Sequence, residues 1–115
     1  MPQRLWTFTC DYASYERTGK LYIIGAFEEL GLGHTTFFVI SRWAGTPGET
    51  FDLKIQIFSP DRTLIREAET LDIPFWGKVD SSNSQTTFTL DYFSDVPMRD
   101  PGEYTVELSL NNTPV

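Results

Sequence analysis

Apolar residues recur at every second position along most of this chain, and that alternation restricts its fold more than any other feature. A period of two belongs to strands, whose successive side chains point to opposite faces. In Arg4–Ala13, Trp6, Phe8, Cys10 and Tyr12 share one parity while Thr7, Thr9 and Asp11 take the other. From Thr50 the pattern is cleaner still, with Phe51, Leu53, Ile55 and Ile57 set inside and Asp52, Lys54 and Gln56 outside. Gln85–Phe93 continues it, with Phe88, Leu90 and Tyr92 expected inside and Thr87, Thr89 and Asp91 outside. Tyr104, Val106, Leu108 and Leu110 alternate with Glu103, Thr105, Glu107 and Ser109.

The remaining strands follow from weaker patterns. Leu21–Glu28 is apolar on both faces, which predicts a central strand, and Gly25 within it predicts a bulge or a close backbone approach. Thr35–Trp43 sets Phe37, Val39 and Trp43 against Phe38 and Ile40. Thr63–Ile73 carries Arg66, Glu67 and Glu69, as an edge strand does to blunt aggregation. Turns are read at Thr18-Gly19-Lys20, Gly31-Leu32-Gly33, Gly45-Thr46-Pro47-Gly48 and Ser59-Pro60-Asp61-Arg62. Asn111-Asn112 resembles a hairpin turn, but only Thr113, Pro114 and Val115 follow it. Either those residues form a tail or a last edge strand is missing, and the tail is the simpler reading. About seven one-sided strands and no convincing helix define an all-β, antiparallel two-sheet sandwich. At 115 residues the chain makes one domain, residues 1–115.

Charge narrows the partners. Nine Lys and Arg against sixteen Asp and Glu give a net charge of −7, and the basic residues are scattered. Nucleic-acid binding needs a basic stripe, so it is not expected. No apolar run approaches the length of a membrane-spanning helix, and no signal peptide is read at the N-terminus. Cys10 is the only cysteine, so no intrachain disulfide forms; a reducing, cytoplasmic compartment is expected.

The segment Asp100-Pro101-Gly102-Glu103-Tyr104-Thr105-Val106 carries a D-x-G-x-Y pattern ahead of an alternating strand. It resembles the tyrosine corner of immunoglobulin-like domains. That resemblance implies that the Tyr104 hydroxyl hydrogen-bonds the backbone upstream, with Asp100 and Gly102 shaping the corner. Val106 stands where antibody-type domains have a cysteine, so the chain is similar instead to disulfide-free bacterial and phage immunoglobulin-like modules. Cys10-Asp11-Tyr12-Ala13, Gly19–Phe27, Ser59-Pro60-Asp61 and Pro101-Gly102-Glu103-Tyr104 also resemble a family of uncharacterised small bacterial proteins, for which no activity is assigned.

Candidates for chemistry are few. His34 is the sole histidine and reads as a solvated residue at a strand start; a base or a zinc ligand needs companions it lacks in sequence. Cys10 shares parity with Trp6, Phe8 and Tyr12 and reads as a buried, inert thiol. Ser81, Ser82 and Ser84 lack a nucleophile-elbow motif. Glu28, Glu29, Asp95, Asp100 and Glu103 match no calcium loop. No catalytic residue, metal or cofactor is expected.

The aromatics stand out: nine Phe, five Tyr and three Trp. Phe75 and Trp76 lie between Pro74 and Gly77 in a connection, where they either anchor an interface or fold down to plug the sandwich. Trp43 and Phe93 raise the same question at strand ends. If the face bearing Tyr22 and Ile24 meets solvent, it offers an apolar patch for dimerisation or strand pairing. The expected function is a non-enzymatic interaction module that binds a protein partner or its own copy through exposed aromatics. The alternative is a small-molecule binder with an aromatic-lined pocket.

Overall fold

The computed structural model describes residues 2–15, 20–26 and 33–115. The turns expected around Thr18-Gly19 and Gly31-Leu32, together with Phe27, Glu28 and Glu29, lie outside the described residues. Eight strands are described: β1 (Gln3–Tyr15), β2 (Leu21–Ala26), β3 (Gly33–Gly45), β4 (Thr50–Phe58), β5 (Leu64–Pro74), β6 (Gln85–Met98), β7 (Thr105–Leu110) and β8 (Thr113–Pro114). They form two four-stranded sheets, ordered β2-β1-β3-β6 and β5-β4-β7-β8, with antiparallel pairing throughout. The chain is an all-β sandwich without a disulfide.

The second sheet follows the expected alternation. Phe51, Leu53, Ile55 and Ile57 on β4 are at most 2% exposed and make the floor of the core, with Leu108 and Leu110 of β7 beside them. Charged β5 is an edge strand, as its composition predicts. The other edge corrects the tail reading. Asn111 and Asn112 both take positive φ (49° and 67°), the conformation that a two-residue hairpin turn requires, and Thr113–Pro114 pair back onto Ser109 and Leu110. Asn111 fixes the turn by accepting a hydrogen bond from the Asp52 amide on Oδ1 (2.9 Å) and donating its own amide to Asp52 O (2.9 Å).

The first sheet departs further from expectation. Among the described residues its strand β2 is an edge, paired with β1 alone. At Gly25 (φ 69°) a side chain would collide with the Asp11 carboxylate, the close approach that the glycine signals. On β6 the predicted faces are exchanged: Thr87 and Thr89 are buried between the sheets, while Tyr92 is 60% exposed on the other side. Ser41 and Thr7, on the same inward parity, bond hydroxyl to hydroxyl at 3.0 Å. The interior facing this strand is occupied by Trp43, whose rings tilt against Phe51 at 5.5 Å, and by Phe75 against Phe51 at 5.4 Å. Only small side chains fit beside them. Thr89 is buried at little cost because its Oγ1 accepts the Trp43 indole N–H at 2.9 Å, whereas Thr87 Oγ1 is buried with no hydrogen-bond partner among the described residues.

Strand β6 also runs past Phe93. A bulge shifts its register between Phe37↔Phe93 and Thr35↔Val96, with Asp95 at φ 54°, so that Phe93 and Val96 both face the core. Pro97 is accommodated because β6 is an edge.

Candidate interaction surface

Directly paired residues in antiparallel strands share a face. The register of the first sheet therefore gives five cross-strand rows on its outer side: Trp6–Arg42–Phe88, Phe8–Ile40–Leu90, Ala26–Cys10–Phe38–Tyr92, Ile24–Tyr12 and Tyr22–Ser14. Apart from Arg42 and Ser14, every member is apolar or aromatic. Trp6 joins this face by its parity with Phe8, and the register shift between Arg4 and Trp6, with Leu5 as the extra residue, sets Arg4 opposite Trp43 instead.

The rings form a connected layer. Trp6 lies 5.1 Å from Phe8 and 5.9 Å from Phe88, and Phe38 lies 5.7 Å from Tyr12 and 5.0 Å from Tyr92. Trp76 extends it from the β5–β6 connection, 6.1 Å from Phe88. Beneath this layer Cys10 and Ile40 are wholly buried, packed with Trp6, Phe38 and Leu90. Burial pushes the Cys10 thiol up, so it stays protonated and inert. Phe8, Tyr12, Tyr22, Ile24, Trp76 and Tyr92 remain between 42% and 60% exposed. Arg42 lies over the Phe88 ring at 5.4 Å, and its Nε is buried with no hydrogen-bond partner among the described residues.

The family model of DUF6941, a family of unknown function, matches residues 5–115. The chain belongs to that family. No curated protein and no solved structure matches it. In this DUF6941 chain the predicted binding residues divide. Tyr22 and Ile24 lie on the outer face, and Trp76 stands at its margin. Trp43 and Phe75 do not reach the surface, at 0% and 7% exposure, which corrects their reading as contact residues. Strand β3 continues to Gly45, which keeps Trp43 between the sheets. Phe75 folds down because Gly45 leaves room for it; a Cβ there would lie 2.5 Å from its ring. Phe93 is likewise buried.

The other candidates of the DUF6941 chain are surface features. His34 Nδ1 meets Asp95 Oδ1 at 2.9 Å with both side chains more than half exposed, an ion pair of little energetic weight when His34 is charged. Asp80 Oδ1 accepts the amides of Ser82 and Ser84 at 2.9 Å each, so the serine run is a capped turn. Tyr104 donates its hydroxyl to Asp100 O (2.8 Å) and accepts the Asp100 amide (3.1 Å), the corner bond that the resemblance implies. An open cleft of about 290 Å³ beside it is lined by Ser59, Asp61, Thr63 and Arg99 as well as Tyr104. Among the described residues no group of three His, Cys, Asp or Glu gathers to hold a metal.

Composition points to the outer face only in part. Trp6, Phe8 and Tyr12 share its parity in the sequence, but nothing in an alternating strand says which face meets the second sheet. Asp91 is the residue sequence reasoning placed wrongly with most consequence. It pairs with Val39 on the inward side, and burial pushes its carboxyl up to about 6.

Proposed function

We propose that this chain is a non-enzymatic interaction module that binds protein through the outer face of the β2-β1-β3-β6 sheet. The supporting observation is the aromatic layer itself, with Phe8, Tyr12, Ile24 and Tyr92 about half exposed on one side of one sheet. Soluble monomers rarely leave a contiguous apolar patch of this kind uncovered. Interfaces enrich Tyr, Trp, Phe and Arg, which is the composition of these rows. The small-molecule alternative has less support, because the described cleft is open and has one aromatic in its lining.

We infer further that the sandwich is immunoglobulin-like. Two features support that: the Tyr104–Asp100 corner, and the pairing of β3 with β6 in one sheet and β4 with β7 in the other. A cytoplasmic setting fits the single buried thiol.

The reading is tested by replacing Tyr92 and Ile24 with Ser together. The wild-type chain is expected to cross-link to a protein from this face, and the folded variant, checked by circular dichroism, is expected to lose that association. Unchanged cross-linking by the variant would refute the assignment.

A further inference from the structure

We propose that the seam where edge strands β5 and β6 meet is a pH-gated joint, closed over a neutral Asp91 and drawn open between its two ends when that carboxyl ionises. The joint lies on the inward side of the first sheet and does not depend on what the aromatic layer binds.

The two strands belong to different sheets, so no backbone ladder joins them, yet their Cα atoms come within 8 Å of one another. The described ties stand at the ends of the seam. At one end Arg66 of β5 donates Nη2 to Asp95 O of β6 at 3.2 Å. At the other the Gly77 amide, just beyond β5, donates to Thr86 O at 3.0 Å, and Gln85 Nε2 donates to Gly77 O at 2.8 Å. Asp91 lies on β6 between these ends, on the inward side beside Val39, which is 0% exposed. The register of β5 on β4 turns Arg66, Ala68 and Thr70 inward, opposite Ile57, Ile55 and Leu53. A bulge follows at Leu71–Asp72, with Asp72 at φ 53°, where the strand can bend. Between the ties β5 thus presents only the small side chains of Ala68 and Thr70, and Thr70 is exposed.

The groups around Asp91 leave its charge uncompensated. Strand β3 offers Val39 directly and Phe37 and Ser41 diagonally, and β4 offers Leu53, Ile55 and Ile57 from across the core, none of which titrates. Its inward neighbours on β6, Thr89 and Phe93, are neutral. Arg66 is the charged residue of the inward row of β5, and its guanidinium is engaged by Ile65 O at 3.0 Å and by Asp95 O at the end of the seam. Glu67 and Glu69 turn outward to Gln56 and Lys54. Burial, with no described hydrogen bond or charge to offset it, lifts the Asp91 carboxyl to about 6. A carboxylate in that position regains water most readily if β5 parts from β6, since this moves small side chains and breaks no ladder. Global unfolding would expose it too, but only by breaking both sheets.

Thiol labelling of Ala68→Cys in the full chain, resolved by site with mass spectrometry, tests the joint. Native Cys10, wholly buried on the outer side of the first sheet, reports global unfolding in the same sample. Rates at each pH are divided by those of the same chain carrying Asp91→Asn, which cancels the ionisation of the thiol itself. From about pH 5 to about pH 7.5 the ratio at position 68 is expected to rise several-fold, up to about tenfold by linkage between 3.8 and about 6. Cys10 is expected to react far more slowly at every pH. If Ala68→Cys does not fold, Val96→Cys, buried on the inward side of β6, takes its place. A flat ratio overturns Asp91 as the gate. Equal rates at the introduced thiol and at Cys10 make the opening global and overturn the joint.

Discussion

Trp43 on β3 donates its indole N–H to Thr89 Oγ1 of β6 at 2.9 Å, inside the sandwich and forty-six residues along the chain. The bond fixes which side of β6 faces the second sheet. Thr89→Val keeps the shape of the side chain and leaves the buried indole donor without an acceptor. It is expected to cost about 1–3 kcal/mol, measured by urea denaturation. Thr89→Ser, which keeps the hydroxyl, is expected to lose less than Thr89→Val.

Asp91 gives the stability a pH dependence of known sign. Its carboxyl is raised to about 6 in the folded chain by burial, above the ordinary value of 3.8. Between those values the unfolded chain has released the proton and the folded chain holds it, so stability falls as pH rises. Above the folded value the penalty is complete, at roughly 3 kcal/mol or less. Asp91→Asn is expected to stabilise the chain near neutral pH and to make no difference well below the ordinary carboxylate value. Denaturation midpoints on either side of this window check it.

Phe75 and Trp76 are neighbours with different tasks. Phe75→Ala opens a void beside Phe51 and is expected to cost about 3–5 kcal/mol. Trp76→Ala removes a half-exposed ring and is expected to cost under about 1 kcal/mol. Thermal melts of the two variants are expected to differ by ten degrees or more, on the order of what such a gap produces in a domain of this size.

Asn111 secures the last hairpin. Asn111→Ala loses the bond from the Asp52 amide and places alanine at positive φ, so it is expected to cost about 1–2 kcal/mol. Exchange of the Val115 amide, which donates to Leu108 O at 2.9 Å, is expected to accelerate because β8 depends on that turn.

The second sheet was legible because its apolar parity and its burial coincide, as Phe51 to Ile57 show on β4. Tyr104 was legible through the D-x-G-x-Y pattern that resembles a tyrosine corner, a contact that spans only four residues. The phase of β6 was not. Threonine suits either side of a sheet, and the space opposite Thr87 and Thr89 is set by Trp43 and Phe75, from distant parts of the chain. The bulge at Asp95 hides the continuation of β6, since one extra residue reverses the alternation that marks a strand. The candidate face is half legible for the same reason: Tyr22 and Ile24 lie on a strand apolar on both sides, while the alternation of β6 points Phe88 and Tyr92 to the interior.

The three indoles of this chain are divided between the two sides of one sheet. Trp43 is sealed between the layers, and Trp6 and Trp76 both flank Phe88 on the outer side. Their fluorescence accordingly divides into two signals with separate meanings. The blue-emitting component follows the integrity of the fold, and the quencher-accessible component follows whatever lies against the aromatic layer. A titration that shields the second while leaving the first unmoved reads occupancy directly, without a label.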